Sequence, residues 1–237
     1  MSRKNWSIEE EKTLKEFYPT MGYHVIELFP DRTKSSVLRK VDWMSLKVTK
    51  GLRKATRKDI VGYLDIEASQ LDADFGIMYS YVIKYQGQNK YEIGVVTRQE
   101  ILDGILDKRV CEQLVDALKK FTLIYTYYGT GFDIPFIRTR CLMNGVKFIT
   151  RGEVEHRDAY YLARRCLKLH RNSLDNVCST LGIKGKTHLD HKFWILANSG
   201  NPEALEYILD HNKADTVILE KVHEILAEFE APKMRWV

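Results

Sequence analysis

Few of the residues that mark specialised protein classes occur in this sequence. Its 237 residues include four cysteines, none in a C-x-x-C pair, and five prolines. No segment approaches the roughly 18 apolar residues of a membrane span, and the first residues run into charges without the apolar core of a signal peptide. These absences exclude a disulfide framework, a cysteine-ligated zinc site and a collagen-like chain. We therefore expect a globular protein of the cytoplasm, nucleoid or nucleus that is not secreted and has no membrane partner.

The net charge of +5 is divided unequally along the chain. Residues 1–58 carry 14 basic and 7 acidic side chains, whereas residues 59–237 carry 23 basic and 25 acidic ones. The pattern predicts a small basic domain at 1–48, a basic linker at 49–58 and a larger domain at 59–237. A basic part of this kind is typical of proteins that bind a polyanion.

The most basic segment lies around the predicted linker, where few apolar residues occur. We expect its side chains to follow a phosphate backbone, and the alternative is a solvated tether that separates two domains. The residues expected to contact nucleic acid here are Lys47, Lys50, Arg53 and Lys54.

Three short helices are predicted in the first 48 residues. The first begins after Ser7, with Glu10 as its capping-box partner, and ends at Pro19. The second spans 23–29, and the third follows Thr33. A compact unit of three helices whose last helix is basic is typical of a helix-turn-helix domain, in which that helix enters a major groove.

The segments 6–11, 18–20 and 32–36 resemble a Myb/SANT-like helix-turn-helix domain. The resemblance implies that Trp6 and Trp43 are core aromatic residues, with an aliphatic residue, Val25 or Ile26, between them. It also implies that the third helix contacts duplex DNA through its outward-facing basic side chains, which include Arg39 and Lys40. Domains of this family also bind proteins, so a protein-docking role is the alternative.

Two carboxylates, Asp65 and Glu67, lie near the end of an apolar, β-prone segment. Residues two apart lie on the same face of a strand. Because like charges at short range repel and lose hydration, the pair favours a divalent cation between its members. The alternative is a pair of solvated acids at the exposed tip of an edge strand.

Two more polar motifs lie on later predicted elements. Asp133 follows a strand and a glycine-containing turn and begins a helix. His211 and Asp215 stand four residues apart on one face of a helix that begins near residue 203. Taken singly, Asp133 is typical of a helix cap, and the His211/Asp215 pair is typical of a surface contact. The intervening segments predict strands at 75–84, 91–96 and 122–127 and a helix at 111–120.

The ordered set Asp65-x-Glu67, Asp133 in a G-F-D-I-P-F segment and His211-x-x-x-Asp215 resembles the DEDD superfamily of 3′-to-5′ exonucleases. Segments 158–164 and 173–183 resemble those between the second and third motifs of that family. The resemblance implies an α/β, RNase H-like mixed sheet flanked by helices, preceded by the small helix-turn-helix domain. It also implies that Asp65, Glu67, Asp133 and Asp215 hold two Mg²⁺ or Mn²⁺ ions about 4 Å apart.

His211 departs from the motif of that family. In that family, the residue paired with the last aspartate is either a Tyr, separated from it by three residues, or a His, separated from it by four residues. This sequence has a His separated by three residues, which is the spacing of the tyrosine. The general-base role is carried over to His211, because an imidazole is suited to removing a proton from water near neutral pH. Tyr207 is the less favoured candidate.

The predicted substrate is the single-stranded 3′ end of DNA. Phe132 is expected to stack on the terminal base, and Lys186 to meet phosphate. RNA is the alternative substrate, because selectivity for the sugar depends on contacts with its 2′ position that no motif encodes. Two further hypotheses are a DNA-binding regulator with an inactive nuclease fold and an endonuclease with an RNase H fold. The sequence indicates no protein partner.

Overall fold

The computed structural model describes residues 5–47, 59–150, 152–185 and 189–230. The chain forms two compact units, Met1–Lys58 and Asp59–Val237. The predicted contacts Lys50, Arg53, Lys54 and Lys186 lie outside the described residues. Within the described ranges, no helix combines the length and the apolar character needed to cross a membrane.

The amino-terminal unit contains helices α1 (Ile8–Met21) and α2 (Lys34–Trp43), separated by a 3-10 helix at Gly22–Leu28. Ser7 and Glu10 form the predicted capping box, and Thr33 caps α2 by accepting a hydrogen bond from the Ser36 amide. The prediction that Pro19 ends the first helix is wrong, because α1 continues to Met21. Proline's fixed φ is helical, and in a last turn the residue removes only its own backbone donor. The buried core of the unit is Leu14, Tyr18, Val25, Phe29, Val37 and Val41.

Trp43 does not belong to this core. Its side chain is 74% exposed, whereas Trp6 is partly buried and packs against the core. The buried face of α2 carries Val37 and Val41. Because each helical residue advances by about 100°, Trp43 points about 200° away from Val41. The expectation that Trp43 is a core aromatic residue is therefore wrong.

The second unit is built on a mixed sheet of five strands in the order β3-β2-β1-β4-β5. β1, β2 and β3 form an antiparallel meander, and β4 runs parallel to both β1 and β5. The strands are β1 (Val61–Ala68), β2 (Met78–Tyr85), β3 (Tyr91–Val95), β4 (Leu123–Thr126) and β5 (Glu155–Asp158).

Helices cover both faces of this sheet. Leu64 and Ile66 of β1 belong to a core that includes residues of the helices at Lys108–Leu118 and Asp133–Met143. Tyr63 packs with Leu219 of the helix at Pro202–Leu226. The predicted α/β mixed sheet flanked by helices is therefore confirmed. The helices of this unit are α3 (Arg98–Leu102), α4 (Lys108–Leu118), α5 (Asp133–Met143), α6 (Ala159–Cys166), α7 (Leu174–Leu181), α8 (His191–Asn198) and α9 (Pro202–Leu226), followed by a 3-10 turn at Ala227–Phe229.

Candidate active site

Strand β1 presents Asp65 and Glu67 on the sheet face that α9 covers. Side chains alternate along a strand, so both carboxylates share the side of Tyr63, which packs against α9. β1 pairs with β2 from Gly62 to Ala68. The parallel pairing of β1 with β4 covers Val61 to Tyr63 and therefore ends before Asp65.

Asp133 lies beside this end of β1. It is the first residue of α5, is only 4% exposed, and accepts a hydrogen bond at Oδ1 from the Ile66 amide at 3.2 Å. Ile66 stands between Asp65 and Glu67, so the bond attaches Asp133 to the strand segment that carries both acids. Burial raises the pKa of the Asp133 carboxyl to about 7, and the charge of Asp158 adds to the increase.

Asp158, at the end of β5, holds the turn that leads into Asp133. Its carboxylate accepts hydrogen bonds from the amides of Tyr128, Thr130 and Tyr160, at 2.8, 2.8 and 3.0 Å. A Cβ on Gly129 would lie 2.2 Å from the Thr126 hydroxyl oxygen, so the turn comes too close to β4 for any other residue there. The glycines of this turn therefore serve a close backbone approach as well as a bend.

Helix α9 brings His211 and Asp215 to the same place. Nε2 of His211 lies 3.7 Å from Oε1 of Glu67 and 3.7 Å from Oδ2 of Asp215. The side chains of all three residues are between 10% and 13% exposed. The structure thus brings the Asp65/Glu67 motif and the His211/Asp215 motif together. The hydrogen bond from the Ile66 amide connects Asp133 to the same strand segment.

Asn212 was not predicted from the sequence, yet it supports the carboxylate strand. It is fully buried. The side-chain amide is oriented so that both its nitrogen and its oxygen have partners. The nitrogen donates to the Asp65 carbonyl at 3.2 Å, and the oxygen accepts from the Glu67 amide at 3.3 Å and from the Ser80 hydroxyl at 3.1 Å. These bonds lie next to the irregular pairing of β1 and β2 at Glu67 and Ala68. A polar residue beside His211 on the helix was the available signal.

Tyr207 and Phe132 each pack against another aromatic ring. Tyr207 stacks on Phe193 of α8 with 4.0 Å between ring centroids, and its role as an alternative base stays a prediction. Phe132 is partly buried and its ring centroid lies 5.4 Å from that of Phe136. Phe132 directly precedes Asp133, and its role with the terminal base stays a prediction.

In the amino-terminal unit, the predicted nucleic-acid contacts differ in their surroundings. Arg39 and Lys47 are exposed. Lys40 has a side chain only 12% exposed, with its ammonium 2.6 Å from Glu11 and 3.9 Å from the centroid of the Trp43 ring. A phosphate contact by Lys40 would therefore compete with an ion pair and a cation–π contact.

The donor set fits a hard divalent cation in its chemistry. Its carboxylates supply the oxygen ligands that Mg²⁺ and Mn²⁺ prefer, on a strand and two helices that meet at one place. Among the described residues, no group of three or more His, Cys, Asp or Glu side chains is placed so as to hold a metal ion as it stands. Metal binding by these acids is therefore a proposal.

Two DNA polymerases are similar to parts of this chain. In sequence, an alignment 152 positions long is 28% identical to a DNA polymerase of Methanocaldococcus jannaschii and covers 56% of this chain and 9% of that polymerase. The solved family B DNA polymerase of the hyperthermophilic archaeon Pyrobaculum calidifontis superposes on 73% of the chain with a TM-score of 0.58. That match has 20% sequence identity and covers 25% of the polymerase chain, so it concerns the fold alone. The chain spans a small part of either relative.

A family model also matches most of the chain. The match runs over residues 62–227 and corresponds to the RNase H superfamily. It includes all five strands, the helix that begins at Asp133 and the helix that carries His211 and Asp215. On this extent of agreement, the chain belongs to the RNase H superfamily.

Proposed function

We propose that the protein is a metal-dependent 3′-to-5′ exonuclease that acts on the single-stranded 3′ end of DNA. The observation that supports this most is the meeting of Glu67, His211 and Asp215 within 3.7 Å, next to the strand segment to which Asp133 is bonded. A base between carboxylates on a rigid strand and helix is suited to activating water against a phosphodiester.

The acids are proposed to hold two Mg²⁺ or Mn²⁺ ions, through Asp65, Glu67, Asp133 and Asp215. When bound, such ions neutralise phosphate charge and lower the pKa of water. His211 accepts the proton of the attacking water through Nε2, and the adjacent Asp215 stabilises the resulting imidazolium. As the water oxygen bonds to phosphorus, the bond from phosphorus to the 3′ oxygen of the preceding nucleotide breaks, and that oxygen takes a proton from solvent. The expected product is a nucleoside 5′-monophosphate.

DNA is the proposed substrate because the Methanocaldococcus relative is a DNA polymerase. The amino-terminal unit is proposed to be a DNA-binding domain, joined by a basic linker to the nuclease. Its exposed Arg39 and Lys47 are the described side chains with which we expect it to contact phosphate. Binding of long DNA should therefore weaken in Arg39→Ala and Lys47→Ala but not in Lys12→Ala, an exposed lysine on α1.

The test is digestion of a 5′-labelled single strand in the presence of Mg²⁺. The proposal expects a ladder that shortens from the 3′ end with the natural chain and with Asp116→Asn, a control on the exposed side of α4. It expects no products with Asp65→Asn or Asp133→Asn. Metal-dependent hydrolysis that persists in either variant would contradict the assignment of these acids.

The competing hypotheses give different products in the same assay. Internal cuts indicate an endonuclease, and binding of DNA without any product indicates a regulator whose nuclease fold is inactive. Faster digestion of a matched RNA strand indicates an exoribonuclease. Each of these results would replace the proposed activity.

A further inference from the structure

Three tyrosines form an aromatic row between the turn before Asp133 and the start of α6. The ring centroids of Tyr128 and Tyr160 lie 4.9 Å apart, and those of Tyr160 and Tyr161 lie 5.2 Å apart, both in edge-to-face geometry. Tyr128 is 47% exposed and Tyr161 is 46% exposed. Edge-to-face contacts leave ring faces available, so the row offers aromatic surface at both of its ends.

The position of Tyr128 is fixed by the backbone around it. Its φ is 64°, in the left-handed region that a bulky residue rarely adopts, and its amide donates to Asp158. A Cβ on Gly131 would lie 2.6 Å from the Tyr128 ring, so the missing side chain at residue 131 makes room for that ring. Strain of this kind persists when the surrounding structure requires it, and it is concentrated at functional sites.

The row is continuous with the candidate active site. The Tyr128 carbonyl accepts a hydrogen bond from the Phe132 amide at 3.0 Å, one residue before Asp133. Asp158 bonds the amides of both Tyr128 and Tyr160 and therefore holds the row against the same turn. The turn that carries Tyr128 therefore also leads into Asp133.

The segment that begins directly after Asp158 and contains Tyr160 and Tyr161 is basic. Residues 159–171 contain four Lys or Arg and no Asp or Glu, although residues 59–237 as a whole carry a net −2. The four cations are exposed, and Arg165 among them donates to the Phe229 carbonyl at 3.0 Å. Aromatic rings beside exposed cations such as Arg164 and Lys168, with no acid between them in sequence, are complementary to the bases and phosphates of a nucleic acid strand.

We propose that Tyr128, Tyr160 and Tyr161 form a stacking track for unpaired bases, with Arg164 and Lys168 on the phosphates. The track deepens the proposed function, on which it rests for the direction of the strand. Its ligand is single-stranded nucleic acid, because the bases of a duplex are already stacked on each other and offer no free faces to a tyrosine row.

The test measures binding without catalysis. The full chain is titrated with a fluorescein-labelled dT oligomer and with a matched rU oligomer in EDTA. Tyr161→Ala and Tyr128→Asn, the latter chosen because Asn tolerates positive φ, should each raise Kd about 5- to 100-fold. Tyr161→Phe should bind like the natural chain, because stacking needs the ring and not the hydroxyl. Tyr91→Ala, on the opposite edge strand β3, is the matched control and should also leave Kd unchanged.

The electrostatic part of the track has its own readout. Arg164→Ala and Lys168→Ala should lower the dependence of log Kd on log salt, whereas Lys108→Ala on α4 should not. Unchanged Kd in both tyrosine variants would overturn the track, and so would losses of equal size when a matched dT·dA duplex is titrated in the same way. If the chain hydrolyses no nucleic acid but the tyrosine variants lose binding, the track is retained and the nuclease assignment is rejected. If the chain hydrolyses DNA and the tyrosine variants bind normally, the nuclease assignment is retained and the track is rejected.

Discussion

The hydroxyl of Tyr63 lies 2.8 Å from Nδ1 of His223 in the buried layer between β1 and α9. The same strand and helix meet again where Glu67 approaches His211. Positions 211, 215, 219 and 223 recur every four residues and so form one ridge of the helix. The ridge therefore runs antiparallel to β1, and its packing sets the position of the proposed base over the acids.

The buried histidines predict how stability depends on pH. Burial lowers the pKa of His223 and of His156 below the ordinary 6.5. At these two sites the unfolded chain binds more protons than the folded chain below that pH, so the contribution of the two histidines to the free energy of unfolding should fall as the pH decreases through 6.5, whereas the raised pKa of Asp133 acts in the opposite direction. Urea unfolding followed by circular dichroism at about pH 7.5 and about pH 5.5 measures this loss. His223→Gln, which keeps an acceptor for Tyr63 and does not titrate, should lose less stability over that interval, and an equal loss would contradict the prediction.

Removal of the His211 imidazole is predicted to impair chemistry more than binding. His211→Ala should lower kcat roughly 100- to 10,000-fold, the usual contribution of a general base, with little change in KM. Steady-state digestion of a short single strand measures both constants. Added imidazole should restore part of kcat in this variant. Tyr207→Phe serves as the control, because Tyr207 packs on Phe193. A His211→Ala enzyme with normal kcat would show that the base is another group.

Asn212 is predicted to position Glu67. Asn212→Ala removes the bonds to the Asp65 carbonyl and the Glu67 amide, and the loss of buried bonds should cost about 1 to 3 kcal/mol of stability. The Mg²⁺ concentration for half-maximal hydrolysis should rise about 10- to 100-fold, as is usual when a residue that orients a ligand is lost. Ser80→Ala leaves both backbone bonds of Asn212 in place and should change this concentration little. Equal effects of the two substitutions would indicate a purely structural role.

The turn before Asp133 is predicted to tolerate no side chain at Gly129. Gly129→Ala places a Cβ 2.2 Å from the Thr126 hydroxyl oxygen, so either the turn or the end of β4 must move. We expect a loss of stability of more than about 2 kcal/mol together with reduced hydrolysis, because Asp133 moves with the turn. Gly104→Ala is the control: its φ of +70° costs strain, but no atom lies within 4 Å of the new Cβ. Similar thermal shifts in both variants would contradict the prediction.

The sequence predicts the parts of this molecule in which several local signals agree. Alternation predicts β1 and the shared face of Asp65 and Glu67, and four-residue spacing predicts the shared face of His211 and Asp215. The role of Asn212 needed tertiary structure, because its partners Asp65, Glu67 and Ser80 lie on strands far earlier in the chain. Trp43 was placed wrongly because a family pattern outweighed the helical angle set by Val37 and Val41.

The single ridge of α9 makes the length of that helix as important as its composition. Insertion of one residue between Asp215 and His223 would rotate everything on one side of it by about 100° relative to the other. With His223 still held by Tyr63, His211 and Asp215 would then face away from β1 although no acid had been replaced. A chain of this family can thus lose its proposed chemistry through a shift of helical phase, with every residue of its motifs intact.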